Sequence, residues 1–337
     1  MTAATGRTPS IGYSSVMTQF GLKLMSELRS GTTLVEHAVE AEKRGLEFLS
    51  ISDHIHPWLP EHEHCPFAWS VMGAIAAKTE KIEIVTGVTC PTFRYHPVII
   101  AQAAATIAAM SDGRFTLGLG AGERLNEHVT ELEFPAPDER HVRLAAAIEM
   151  MQELWTGEYT TIRGEFYDAD HVKIYENLGQ QVPIVLAVSG DQSLDLASET
   201  GCAGIMAIEP DADLVDGWTS RGGSATDTWT EAPMAWETTK EAGIETAKLF
   251  RFGLMGWNVS AELPNPAHFA DATQFLTDEQ IGEQIPHGPD PEAYVKGIQE
   301  FIDAGFSKIA LVPVGDDLNG TLDFFENEVR PNLKTKD

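Results

Sequence analysis

Asp53, His54, His56 and Trp58 fall within one short run, Ser52-Asp53-His54-Ile55-His56-Pro57-Trp58. An imidazole exchanges protons near neutral pH, and a carboxylate beside it raises its basicity. The run follows the apolar, β-rich stretch Leu46–Ile51. These side chains are therefore expected at a strand end, where parallel α/β folds put their chemistry.

Three further runs have the same placement. Thr86-Gly87-Val88-Thr89-Cys90-Pro91 continues through Thr92-Phe93-Arg94-Tyr95-His96-Pro97. Gly87 would let the backbone approach a planar cofactor, and Pro97 suits the first turn of a helix. Gly118-Leu119-Gly120-Ala121-Gly122-Glu123 leads into Arg124-Leu125-Asn126-Glu127-His128. Its alternating glycines echo the dinucleotide fingerprint. Glu123, however, stands where the last glycine belongs, so the signal for NAD is weak. Val188-Ser189-Gly190-Asp191-Gln192-Ser193 opens a helix with small residues. Its free amides read either as a phosphate seat or as an ordinary cap made by Asp191 or Ser193.

Other chemistries lack support. His54, His56, His62, His64 and Cys65 do not have zinc-site spacing, so no metal is expected. Neither G-x-S-x-G nor a Walker loop occurs, which leaves hydrolysis and phosphoryl transfer without a motif.

The elements that must carry these runs alternate. Candidate strands are Ile11–Val16, Leu46–Ile51, Ile82–Val88, Arg114–Leu119, Ile184–Val188, Ala203–Ala207, Leu249–Gly256 and Lys308–Pro313. Helical patterns between them include Thr33–Arg44, Pro66–Thr79, Pro97–Ser111, Glu139–Leu154 and Pro291–Ala304. Eight strands with crossovers predict an α/β chain folded as one (β/α)8 TIM barrel spanning 1–337. A doubly wound sheet is the alternative, because periodicity does not show closure. Segments 208–245 and 258–290 exceed a normal connection and are expected as insertion loops at the C-terminal face.

The chain has 337 residues, with 51 Asp+Glu against 23 Lys+Arg and a net charge of −28. That balance argues against nucleic acid and anionic membranes as partners, though not against a small anion held by backbone amides. It reads as a soluble enzyme or as adaptation to salt. Cys65, Cys90 and Cys202 are an odd, widely spaced set that fits a reducing compartment. With no apolar leader or membrane-length apolar run, a cytoplasmic location is expected.

SDHIHPW, TGVTCPTFRYHP and GAGERLNEH, in that order, resemble the deazaflavin (coenzyme F420)-dependent oxidoreductases of the luciferase-like superfamily. The resemblance is nearest to the glucose-6-phosphate dehydrogenase subgroup and runs from Ile11 to about Leu333. It implies a (β/α)8 barrel, a homodimer, and F420 at the C-terminal mouth. By that resemblance Asp53 contacts the deazaflavin ring, His54 is the base, and Trp58 stabilises the reacting intermediate. Glu123 protonates the ring nitrogen and Asn126 helps hold the cofactor. Gly87-Val88 is the non-prolyl cis bulge, and Ser189, Gly190 and Ser193 grip the phosphate. Cys90 and Gly122 join the cofactor-binding set.

Sugar-phosphate members of the subgroup place cations in later loops. Here the corresponding stretch reads Ala207-Ile208-Glu209-Pro210, and 208–245 holds only Arg221 and Lys240. No Lys or Arg lies between Gln284 and Asp290. A doubly charged phosphate needs such donors. The expected substrate is therefore a small uncharged alcohol or its ketone. Trp218, Trp229, Trp236 and Trp257 are candidates for its wall or for packing the loop. The alternatives are an F420-dependent sugar-6-phosphate dehydrogenase, an FMN-dependent monooxygenase, and a metabolite-binding protein without turnover.

Overall fold

Ten strands organise the protein in a computed structural model that describes residues 17–130, 134–176 and 179–335. They are β1 (Gln19–Leu24), β2 (Phe48–Ile51), β3 (Glu83–Thr86), β4 (Phe115–Leu119) and β5 (Thr160–Arg163), then β6 (Asp168–Val172), β7 (Ile184–Ala187), β8 (Gly204–Met206), β9 (Thr228–Met234) and β10 (Lys308–Pro313). Eight of them close into a barrel in the order β1-β10-β9-β8-β7-β4-β3-β2. β1 pairs in parallel with both β10 and β2, so the sheet is a closed (β/α)8 barrel and not an open doubly wound sheet. β5 and β6 form a separate antiparallel hairpin, an addition that the alternating pattern did not announce.

Six barrel strands lie inside the apolar runs named above. Two do not. Ile11–Val16 falls outside the described residues, and the barrel opens instead with β1. Leu249–Gly256 is no strand either; Lys248–Leu254 is a 3₁₀ helix, and the seventh barrel strand is β9. Both missed strands carry a charge into the barrel. Lys23 Nζ donates to Glu231 Oε1 at 2.5 Å and to the Gly87 carbonyl at 2.7 Å. Pro233 further disguises β9, since proline lacks a ladder donor.

Segment 208–245 is therefore not one excursion. It holds the helix Ala212–Ser220, the strand β9, and the start of the helix Lys240–Ala247. The long excursion lies between β9 and the helix Pro291–Ala304, and it is built of short helices.

Side chains alternate in and out along each strand. Phe48, Val85, Val185, Met206, Trp229 and Ala310 fill the barrel, with Phe48 and Trp229 edge to face at 4.8 Å. The outward residues pack under the helices. The helix Gly31–Lys43, for example, buries Leu34, Ala38 and Ala41 after a Ser30 cap that accepts from Thr33 N. Pro97 opens the helix Pro97–Met110 as expected, and His96 Nδ1 accepts from Val98 N at 3.2 Å.

Candidate active site

At the mouth of the barrel, β1 runs into Glu27, β2 into Asp53 and His54, and β4 into Glu123. His54 Nδ1 lies 2.5 Å from Glu27 Oε1, and His54 Nε2 lies 3.5 Å from Glu123 Oε1. The Glu27 contact is an ion pair that is not aligned as a hydrogen bond. Burial pushes the Glu27 carboxyl up, but the His54 charge outweighs it and holds the group at about 2. Burial pulls His54 down, and Glu27 followed by Glu123 outweighs that and raises it above the ordinary imidazole value. With Nδ1 turned to Glu27, Nε2 is the nitrogen left for chemistry.

Asn126 joins the two loops. It is fully buried; its Oδ1 accepts from the amides of Ile55 and His56 at 2.8 and 3.0 Å. Its Nδ2 donates to Glu123 Oε1 at 2.6 Å. Asn126 thus fixes Glu123 against the His54 loop.

The Asp53 carboxylate is committed in the same way. Trp69 Nε1 and the Thr89 hydroxyl donate to Oδ2, while Arg94 and the Tyr95 hydroxyl donate to Oδ1, all within 2.8–3.2 Å. A carboxylate offers about four lone-pair sites. These four protein donors brace the end of β2 against the loop after β3 and the helix Ala68–Lys78. Behind it Glu127 Oε2 accepts from the Arg94 amide at 3.1 Å. Burial first, and then the neighbouring Glu123, push the Glu127 carboxyl up to about 8.

Trp58 roofs His54. Their rings meet edge to face at 4.9 Å, and Trp58 stacks on Phe252 at 4.9 Å with planes 6° apart. Phe269 abuts its edge at 5.2 Å, and Met25, Leu59 and Leu125 complete an apolar cluster. The wall of the mouth is therefore built by the 3₁₀ helix and the helix Pro266–Thr273. Three of the four candidate tryptophans take the packing role. Trp229 fills the barrel, Trp218 and Trp236 pack beneath helices, and Trp257 is half exposed.

Gly87-Val88 is a cis peptide, at the position the resemblance implied. Lys23 holds its carbonyl from below. Gly122 has φ +82°, and a Cβ there would stand 2.7 Å from Cys90 Sγ, so only glycine fits. Cys90 is buried beside Thr92 with Sγ 3.1 Å from the hydroxyl, and burial keeps its thiol protonated. One strand further round, Ser193 supplies the capping bond at the start of the helix Asp191–Glu199, and Asp191 does not. Ser193 Oγ accepts from the amides of Ser189 and the N-cap Gly190 at 3.0 and 3.3 Å.

Residues 13–308 match the family model described as luciferase-like monooxygenase. The chain belongs to the luciferase-like family. Among relatives of this luciferase-like protein, the F420-dependent glucose-6-phosphate dehydrogenase of Amycolatopsis mediterranei is 32% identical over 334 residues, covering 94% of this chain and 99% of that one. The F420-dependent hydroxymycolic acid dehydrogenase of Mycobacterium tuberculosis is 32% identical over 332 residues, covering 93% and 88%. An F420-dependent secondary alcohol dehydrogenase, solved with an F420-acetone adduct, superposes with a TM-score of 0.84 at 25% identity, covering 94% and 99%.

Several residues of this luciferase-like mouth escaped the sequence reading. Glu27 did so because the first strand was sought upstream, which hid its place at a strand end. Phe252 did so because an apolar run does not reveal whether it is a strand or a helix, and Phe269 because nothing in segment 258–290 singled it out. Arg94 and Tyr95 stood in a quoted motif, but only the fold brings them to Asp53.

Proposed function

We propose that the protein is an F420-dependent oxidoreductase that interconverts an alcohol and its ketone or aldehyde, with an uncharged, fairly apolar substrate. The Glu27–His54–Glu123 line beneath Trp58 is the observation that carries this reading. The residues present fit a deazaflavin with a phosphate-bearing tail. The turn at Gly190 is extended with nothing within 4 Å of a built Cβ, so its surroundings are open. It starts a nine-residue helix whose first amides face outward from their own helix. Gly87, Val88, Cys90 and Gly122 would help hold the ring, and Ser189, Gly190 and Ser193 the phosphate.

Bound there, the deazaflavin would accept hydride in alcohol oxidation and donate it in carbonyl reduction. His54 Nε2 takes the hydroxyl proton in one direction and returns it to the carbonyl oxygen in the other. Glu27 keeps Nδ1 charged-paired throughout, so the imidazolium costs less to form. Glu123, across from Nε2 and fixed by Asn126, is the carboxyl that holds the second proton of the reaction. Trp58, backed by Phe252 and Phe269, excludes water and steadies the reacting centre.

The apolar roof supports a neutral substrate, as does the fate of the later cations. Arg221 pairs with Asp191 and Asp195, and Lys248 with Glu245 and Asp278. The alternative, a sugar 6-phosphate, draws on the names of the relatives. A fluorescence titration with F420, FMN and NADPH, followed by a hydride-transfer panel, separates these readings. We expect binding of F420 alone and turnover of secondary alcohols or ketones ahead of glucose 6-phosphate. Tight FMN with oxygen consumption, or faster turnover of the sugar phosphate, would contradict this reading. A homodimer fits the outer face of the helix Pro97–Met110, which has no charged residue and exposes Ile99 and Met110.

A further inference from the structure

His62 takes no part in the chemistry above, yet it is buried, only 3% exposed, in the loop that follows Trp58. Its amide donates to the Leu59 carbonyl at 3.0 Å, and two residues on the His64 amide donates to the Glu27 carbonyl at 3.1 Å. The loop therefore leaves Trp58 and returns to the residue whose carboxylate pairs with His54.

The His62 ring reaches a third element. Its Nε2 lies 2.8 Å from the Leu249 carbonyl, in the 3₁₀ helix Lys248–Leu254. A carbonyl only accepts, so Nε2 carries the hydrogen and donates it. Nδ1 is shielded from solvent and has no hydrogen-bond partner among the described residues. A proton there would bury a charge with an unpaired N–H, and burial pulls the His62 value below that of an ordinary imidazole. His62 is thus a neutral, fixed donor and not a proton carrier.

From this anchor, aromatic contacts run without a break to the reacting group. The His62 ring meets Phe252 edge to face at 5.8 Å. Phe252 lies flat on Trp58 at 4.9 Å, and Trp58 meets His54 edge to face at 4.9 Å. Arg251 also ties the 3₁₀ helix to the loop, pairing with Glu61 at 2.5 Å. The Glu61 side chain is 39% exposed, and ion pairs of that kind contribute little. The bond from the buried His62 donor is the stronger tie.

We propose that His62 is a positioning residue: it fixes Phe252 on Trp58 and so keeps the Trp58 ring against His54. The inference rests on the reading of His54 as the acid–base group and adds a second histidine that acts on it only through the roof.

His62→Leu removes the donor, and His62→Asn, too short to reach Leu249, does the same should Leu prevent folding. His62→Gln keeps an N–H close to the place of Nε2. Melting curves establish which variants fold, and kcat and F420 affinity are measured for each. His62→Leu should lower kcat roughly 10- to 100-fold, the order expected of a misplaced reacting group, with F420 affinity within about threefold of wild type. His62→Gln should restore most of that loss. In a Trp58→Ala background His62→Leu should cost nothing further, because no roof is left to place. An unchanged kcat in the donor-less variant, or the same fold-loss with and without Trp58, overturns the proposal.

A second readout needs neither cofactor nor turnover. The Trp58 ring current shifts the NMR signals of the His54 ring protons, which are assigned by their disappearance in His54→Ala. In His62→Leu these signals should move toward their positions in Trp58→Ala, and signals that stay at the wild-type positions overturn the proposal. If wild type transfers no hydride, the F420 reading falls, and this shift alone decides whether His62 places the roof.

Discussion

A buried carboxylate 2.5 Å from one imidazole nitrogen leaves the other nitrogen to exchange protons, and at Glu27–His54 the pair's own charges outweigh the burial of each partner. Removing the charge should therefore reveal the burial. In Glu27→Gln the His54 value falls, because desolvation persists without its counterweight. Reduction, which needs the imidazolium, then loses rate at lower pH than in wild type. Oxidation, which needs the free base, extends further into acid. Both limbs of the pH–rate profile shift down, and unmoved limbs would remove Glu27 from this role. Glu127 gives an equilibrium counterpart. Its folded value near 8 means that between about pH 4.5 and 8 the unfolded chain has lost a proton the native state keeps, so stability falls as pH rises. Glu127→Gln should flatten that slope and stabilise the protein at pH 8 by on the order of a few kcal/mol, read from denaturant melts at pH 5 and pH 8.

At the scale of elements, the sequence made six barrel strands legible because their interiors are apolar, and hid two because theirs are not. Lys23 on β1 and Glu231 on β9 each break an apolar run, yet inside the barrel they neutralise one another, and Lys23 also holds the Gly87 carbonyl. A charge inside a strand is a reading error only until its partner is known, and that partner lies far along the chain. The same limit explains the site. Motifs located His54, Trp58 and Glu123, since each is local to a strand end. Glu27, Phe252 and Phe269 reach them only through the fold, and the bracing of Asp53 is a property of four donors from one helix and one loop. Breaking the barrel pair tests this picture. Lys23→Met alone or Glu231→Leu alone should cost about 3–5 kcal/mol by stranding a buried charge. The double variant should recover most of that in a double-mutant cycle. Additive losses would mean the two charges do not depend on each other.

For the whole molecule, the excess of acids acts through net charge. No helix among the described residues is long and apolar enough to cross a membrane. Like charges at a net −28 repel one another and weaken the compact state, and salt screens that repulsion. The melting temperature should therefore rise as ionic strength goes from about 0.01 to about 0.15 M, over which the screening length falls from roughly 30 to 8 Å. A melting temperature that falls or stays flat would mean that paired surface charges dominate over net repulsion.

The central claim is that His54, held by Glu27 under Trp58, moves the proton of an F420-linked alcohol–carbonyl reaction. Steady-state turnover and F420 affinity, measured together for His54→Ala, test it most directly. General acid–base catalysis contributes about 10²- to 10⁴-fold, so turnover should drop by that order while F420 affinity stays within about threefold. Turnover within about tenfold of wild type, with the affinity intact, would contradict the claim.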